Sequence, residues 1–334
     1  MAERTLVLHV GIHKTASTYI QHRLKRNLAF LKRNGLLYPV RRREHLDLVG
    51  ALRRGELQPW LELIGQAARQ RLRPLISAEV LSVMLHQPAA PAAAGSLLGH
   101  LQDGLAAEGA SLHLVAFVRD QPAYLNSRYT QLIKRLYFAS PFRRYVLETL
   151  ENGGESDCDY ERLFGEAIDD PRIQTSFLPF RSGEADPCER LLNAVGVADC
   201  RALAPLDEQP NSQPGWQAVW LAQRIAASLQ RHHPAAWHDR GCKARIREEL
   251  ERLAAQEGWP AEPFQGVNPY LLGRIERRFG PGNDRFAQRV WGCSWRELFP
   301  RNDPRPSPRQ PRDPQEQQRL EAEADRLLKQ ALQP

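Results

Sequence analysis

A chain of 334 residues with 42% apolar and 25% charged side chains has the balance of a globular protein, long enough for one large α/β domain or two modest ones. Its net charge of +7 favours anionic ligands, yet the arginines are spread along the chain and do not interleave with aromatics as a nucleic-acid surface requires. No apolar run approaches the roughly 20 residues of a membrane span. The opening residues lack a signal-peptide pattern, and the five cysteines at irregular spacing read as reduced thiols, so the expected location is the cytoplasm.

In chain order, Leu6 to Val10 (LVLHV) reads as a short buried strand that runs through GIHKTAST into a helix expected over Ser17 to Asn34. RPLISAE from Arg73 is a second strand ending on Glu79, and LHLVAFVRD from Leu112 a third ending on Arg119-Asp120. After the helical DYERLFGEAI, IQTSFLPF from Ile173 is a fourth strand, and PCERLLNAVGV is a helix closing on Gly196. Strands alternating with helical segments predict an α/β fold, a three-layer sandwich whose central, mostly parallel sheet is covered by helices on both faces. Ligands of such sheets bind beyond the carboxyl ends of the strands, and Gly11 to Thr18, Glu79 and Arg119 all fall there.

The expected organisation is one domain over residues 1–300, with a sheet core to about 203 and a helical cover over about 204–300. HQPAAPAAAGS (86–96) is expected to be a flexible connection, the Pro-rich 204–216 a dividing loop, and the Pro/Arg-rich 301–314 a polyproline-like linker. Residues 315–334 form an amphipathic helix with Leu320, Ala324, Leu327, Leu328 and Ala331 on one stripe. That stripe is expected to dock in a groove, on its own subunit or on a second copy in a homodimer. His232, His233, His238 and Cys242 match no zinc template, so no metal is expected.

The stretch GIHKTAST is more than a turn requires. A loop that opens a helix offers unpaired N–H groups and the positive end of a dipole, and Lys14 with the hydroxyls of Thr15, Ser17 and Thr18 would complete an anion's coordination. A plain helix cap with an incidental lysine gives the same local pattern. Only two residues separate Gly11 from Lys14 and no glycine precedes the lysine, so the loop is a poor match to a nucleoside-triphosphate cradle. Arg119 and Ser127, eight residues on, pair a guanidinium fork with a hydroxyl in the way a phosphate monoester requires.

VGIHKTASTYIQ resembles the 5′-phosphosulfate loop of sulfotransferases that use 3′-phosphoadenosine 5′-phosphosulfate (PAPS), and LVAFVRDQPAYLNSRYTQ resembles the same family's 3′-phosphate motif. DYERLFGEAIDDPRIQTSFLPF and GPGNDRFAQRVWG are similar to its bacterial members, so the resemblance spans roughly 6 to 300. It implies a P-loop-like loop in which Gly11, His13, Lys14, Thr15, Ala16, Ser17 and Thr18 hold the phosphosulfate of the PAPS donor, while Arg119 and Ser127 hold the 3′-phosphate. The implied reaction moves a sulfuryl group to a hydroxyl (or amine) of a carbohydrate, glycolipid or small metabolite, with Lys14 beside the bridging oxygen and no metal. Glu79 is the first choice as base and His45 its competitor, with His13 only lining the loop. Ala16 stands where the family often has glycine, so the loop must keep φ negative there or bear strain. The alternatives are a kinase using ATP, with Asp120 holding magnesium, and an inactive nucleotide-binding scaffold.

Overall fold

A computed structural model describes residues 4–89, 95–151, 157–206, 213–301, 305–308 and 310–333. Parts of the Ala/Pro connection (90–94), the Pro-rich loop (207–212) and the Pro/Arg linker (302–304 and 309) lie outside the described residues.

β1 (Thr5–His9) leads to α1 (Ser17–Arg26), α2 (Leu28–Arg33) and β2 (Leu36–Leu37), then α3 (Arg42–Arg53) and α4 (Gln58–Arg69) to β3 (Arg73–Ser77). α5 (Leu81–Met84) and α6 (Leu97–Ala107) precede β4 (Ser111–Val118), and α7 (Gln121–Lys134), α8 (Phe142–Glu151) and α9 (Tyr160–Asp169) precede β5 (Ile173–Pro179). The remainder is helical: α10 (Pro187–Ala194), α11 (Trp216–His232), α12 (Pro234–His238), α13 (Arg240–Gln256), α14 (Pro269–Trp291), α15 (Trp295–Leu298) and α16 (Pro314–Leu332).

The chain divides into two compact units, residues 1–120, 157–210 and 279–300 in the first and 121–156, 211–278 and 301–334 in the second. The first is an α/β unit built on a five-stranded, all-parallel sheet in the order β2-β3-β1-β4-β5. β1 is central: Val7 pairs with Leu75 and His9 with Ser77 on one side, Thr5 with Ser111 and His9 with Val115 on the other. The apolar runs are unbroken because both faces are covered. Val7, Leu75, Val115 and Phe117 pack with Ile20 and Leu24 of α1, Leu31 of α2 and Leu191 of α10. Leu6, Leu8, Ile76 and Leu114, which alternate with that set, are equally buried, and α4, α6 and α9 pack on β3, β4 and β5. From β1 the chain passes to the edge strand β2 and returns to β3, and the next crossover passes over β1 to reach β4 on its other side. The connections therefore reverse direction beside β1, and its carboxyl end lies at the switch point of the sheet.

Two local departures have tertiary causes. The helix expected over 17–34 breaks at Asn27, whose φ of −114° ends α1. Its buried side chain is held by Arg23 O at 2.8 Å, Ala204 O at 3.0 Å and Ala204 N at 2.8 Å. β2 is two residues long and exists only through pairing with Arg73 and Pro74 of β3.

The second unit is helical. Tyr129, Tyr145, Phe142 and Phe264 form an aromatic cluster with ring centroids 5.1–6.4 Å apart. Asn126 clamps the segment beneath, donating to Phe264 O at 2.9 Å and accepting from Gly266 N at 2.8 Å. Gly266 must be glycine, since a Cβ there would lie 2.4 Å from the Phe142 ring. α16 packs on α11 and α13 of its own chain, with Leu320, Ala324, Leu327 and Ala331 buried. Arg224–Glu321 and Arg319–Glu257 ion pairs flank it. No helix among the described residues is long and apolar enough to cross a membrane.

Candidate functional site

The loop after β1 continues the strand for one residue, Val10 N donating to Val115 O at 2.9 Å, and then turns into α1. Gly11 does not make the turn, because the left-handed residues are Lys14 (φ 68°) and Ala16 (φ 61°). Gly11 supplies space instead: a Cβ there would sit 2.2 Å from Ser17 Oγ and 3.4 Å from Glu79 Cγ. Of the two outcomes open to Ala16, the loop takes strain. A left-handed conformation costs a residue with a Cβ roughly 1–2 kcal/mol, and such strain collects at functional loops. Left-handed residues alternating in a turn gather successive backbone N–H groups into an anion-binding concavity. Ala16 is also the N-cap of α1 and offers no side-chain cap, so the first amides of the helix have no side-chain acceptor. Thr15 is turned inward and braces the loop, its Oγ1 donating to Ile12 O at 2.6 Å. Ser17 Oγ is buried without a strict hydrogen-bond partner, and Thr18 is exposed.

Glu79 lies two residues past β3 and meets the loop directly: its Oε2 accepts from His13 Nδ1 at 3.0 Å. Burial raises its carboxyl pKa, but the hydrogen bond and charge of His13, then Ser17 and His9, outweigh that and hold it below the ordinary value. Ser17 Oγ is close enough to contribute even though its geometry falls short of a full hydrogen bond. His13 and Glu79 side chains retain 28% and 32% exposure, so the pair faces outward from the sheet's end.

Behind it stands a histidine that reading the sequence overlooked. His9 is fully buried; its Nδ1 pairs with Ser77 Oγ at 2.8 Å and its ring lies edge-on to Phe117. Burial pushes its pKa down to about 4, against an opposing pull from Glu79, and its Nε2 has no partner among the described residues. The signal available was the lone polar residue in LVLHV. Gln21 joins the network by donating to Ser77 O at 3.2 Å.

His45 belongs to the scaffold. Its Nδ1 accepts from Ser77 N at 3.3 Å, its Nε2 donates to Pro39 O at 2.9 Å, and its ring packs on Tyr38. Both nitrogens are taken and burial lowers its pKa. The expectation that it competes as base therefore meets a ring with no lone pair to offer in this arrangement.

Arg119, just past β4, joins the second motif to the first: its Nη1 donates to Lys14 O at 2.8 Å. Tyr160 fixes its backbone by donating to Arg119 O at 2.5 Å, and Phe180 lies 5.7 Å from its guanidinium. Burial lowers its basicity, yet a guanidinium stays charged in proteins. Asp120 turns elsewhere, accepting from Trp295 Nε1 at 2.8 Å and pairing with Arg296 at 3.4 Å. Ser127 lies on α7 in the second unit, half-buried, its carbonyl accepting from Thr130 Oγ1 at 2.9 Å.

Among the described residues no group of three or more His, Cys, Asp and Glu is placed to hold a metal. A cavity of about 160 Å³ lies within the second unit between α11 and α13. Its lining is mostly apolar, and its lysine, Lys134, is already paired with Glu251 at 3.1 Å, so it is poorly suited to a nucleotide's phosphates. Comparison with protein-family models, curated proteins and solved structures gives no match.

Proposed function

We propose that the chain is a sulfotransferase that takes a sulfuryl group from PAPS and passes it to a hydroxyl of a carbohydrate, glycolipid or small metabolite. One observation carries the reading: two anion-binding motifs that lie 105 residues apart in sequence are joined at neighbouring strand ends by the Arg119–Lys14 hydrogen bond. A cationic fork fixed against a strained, amide-rich loop suits a ligand with two anionic groups. PAPS supplies an activated sulfuryl group whose leaving group is a stable phosphate anion.

The chain's residues divide the remaining work. Backbone amides from Lys14 to Thr18 bind the 5′-phosphosulfate, and Lys14 provides the cation for charge that develops on the bridging oxygen. Arg119 binds the 3′-phosphate; the sequence motif is what assigns Ser127 to the same phosphate. Proton removal from the acceptor falls to the Glu79–His13 pair, which has the outward exposure and the lone pairs that His45 lacks.

The kinase reading needs Asp120 to hold magnesium, and that carboxylate is already engaged by Trp295 and Arg296. Titration calorimetry with 3′-phosphoadenosine 5′-phosphate (PAP) and, separately, with ATP and magnesium tests the choice. Micromolar binding of the first with none of the second is expected. The reverse outcome would replace the sulfotransferase with a kinase, and PAP binding with no transfer to any acceptor would leave a nucleotide-binding scaffold.

A further inference from the structure

We infer that His13 is the catalytic base and Glu79 its positioning residue, an assignment that rests on the sulfuryl-transfer reading. An ionised carboxylate only accepts hydrogen bonds, so the 3.0 Å contact fixes the proton of His13 on Nδ1 and leaves the Nε2 lone pair for a substrate. The imidazole is carried on the loop itself, one residue before Lys14, whose carbonyl is pinned by Arg119. A base at this position travels with the donor site and needs no separate alignment.

Glu79 is suited to the supporting role. Its anion is stabilised by His13, with Ser17 Oγ and His9 adding to the effect, which makes it a weak proton acceptor. The same anion stabilises an imidazolium once His13 has taken a proton. His9 and Ser77 stand behind the pair as a buried polar support.

The step balances without a metal or redox partner. The acceptor oxygen forms a bond to sulfur as the bond between sulfur and the bridging oxygen breaks, and the electron pair stays on the phosphate of PAP. The hydroxyl proton moves to Nε2 of His13, the Nδ1 proton stays on the ring as a hydrogen bond to Glu79, and the imidazolium later returns the proton to solvent.

Three readouts on the full chain test this. PAP affinity, by calorimetry, is measured first on the unsubstituted protein; no binding there overturns the sulfotransferase reading and the base assignment with it. Where PAP binds, His13→Ala and His13→Gln should keep that affinity yet release PAP from PAPS more slowly by on the order of 10²–10⁴-fold, the usual contribution of a general base. Added imidazole should restore part of the rate to His13→Ala, and Glu79→Gln should lose less than either, with Glu79→Asp recovering some of it. The third readout needs no turnover: diethyl pyrocarbonate, mapped by mass spectrometry, should acylate His13 while sparing buried His9 and His45, and several-fold more slowly in Glu79→Gln. A deeper loss in Glu79→Gln than in His13→Ala would make Glu79 the base, no rescue by imidazole would remove His13 from that role, and acylation of His13 indifferent to Glu79 would remove Glu79 as its positioning residue; each overturns the proposal.

Discussion

The loop between β1 and α1 and the helix α16 treat the chain's own preferences in opposite ways. The loop holds Lys14 and Ala16 left-handed, buries Ser17 Oγ without a strict partner and packs its glycine so tightly that no Cβ fits. α16 follows every local rule. Asp313 caps it by accepting from Glu316 N at 2.8 Å, Pro314 starts it, Lys329 lies in its last turn, and one apolar stripe is buried. Segments that conform contribute stability, and departures from preference at several levels at once collect at functional or strained sites.

Substitutions in the two regions should therefore separate function from stability. The largest effect is expected for Lys14→Ala, a loss of turnover on the order of 10²–10³-fold from a missing transition-state cation, with an unchanged melting temperature. A large fall in PAP affinity with normal turnover would show that Lys14 serves ground-state binding. Next, Leu327→Ala, at a position 1% exposed, should cost about 2–5 kcal/mol in chemical denaturation and leave PAP affinity intact. Equal loss of both would dissolve the contrast.

Acid should act through the sheet that carries the loop. Burial holds His9 and His113 each down to about 4, from an ordinary 6.5. Between those values the unfolded chain binds the proton and the folded chain does not, so stability falls as pH drops from 6.5 toward 4. The slope is about 1.4 kcal/mol per pH unit for each histidine. Denaturation at pH 6.5 and 5.5 measures it, and His113→Gln should remove its own share while His9, His45 and His86, all lowered by burial, keep theirs; an unchanged slope would mean His113 is protonated in the fold. The smallest effect has the opposite sign. Ala16→Gly should raise stability by about 1 kcal/mol as the left-handed strain is released, and a loss instead would mean that the flexibility glycine adds to the unfolded chain outweighs the strain.

Much of the sheet was legible in the sequence. LVLHV and SLHLVAFV are nearly unbroken apolar runs, the pattern of parallel strands covered on both faces, whereas IQTSFLP interleaves polar residues and lies at the sheet's edge. β2 was not, because two residues carry no periodicity. The loop that carries Lys14 was legible as a strand-to-helix connection, because that depends on neighbours in the chain. The site was hidden where a role depends on distant partners. Glu79 and His13 are 66 residues apart, and nothing in either segment announces their hydrogen bond. His45 looked like a base because a sequence does not show that Pro39 and Ser77 occupy its two nitrogens. The need for glycine at position 11 was hidden too, because the clash of a Cβ with Ser17 Oγ appears only when the loop folds back on the start of α1.

The central position of β1 sets the order in which a growing chain can acquire this site. β1 has no β-partner of its own until β3 arrives on one side and β4 on the other, and the Arg119–Lys14 bond closes a loop of more than a hundred residues. Contacts of such long sequence separation form slowly. During synthesis the strained loop therefore leaves the ribosome well before the arginine that pins it. On the proposed reading, a nucleotide cannot act as a nucleus for the first hundred residues; it can only select chains whose fourth strand has already docked. Until then β1, apolar on both faces and unpaired on both edges, is the segment most in need of shielding from other chains.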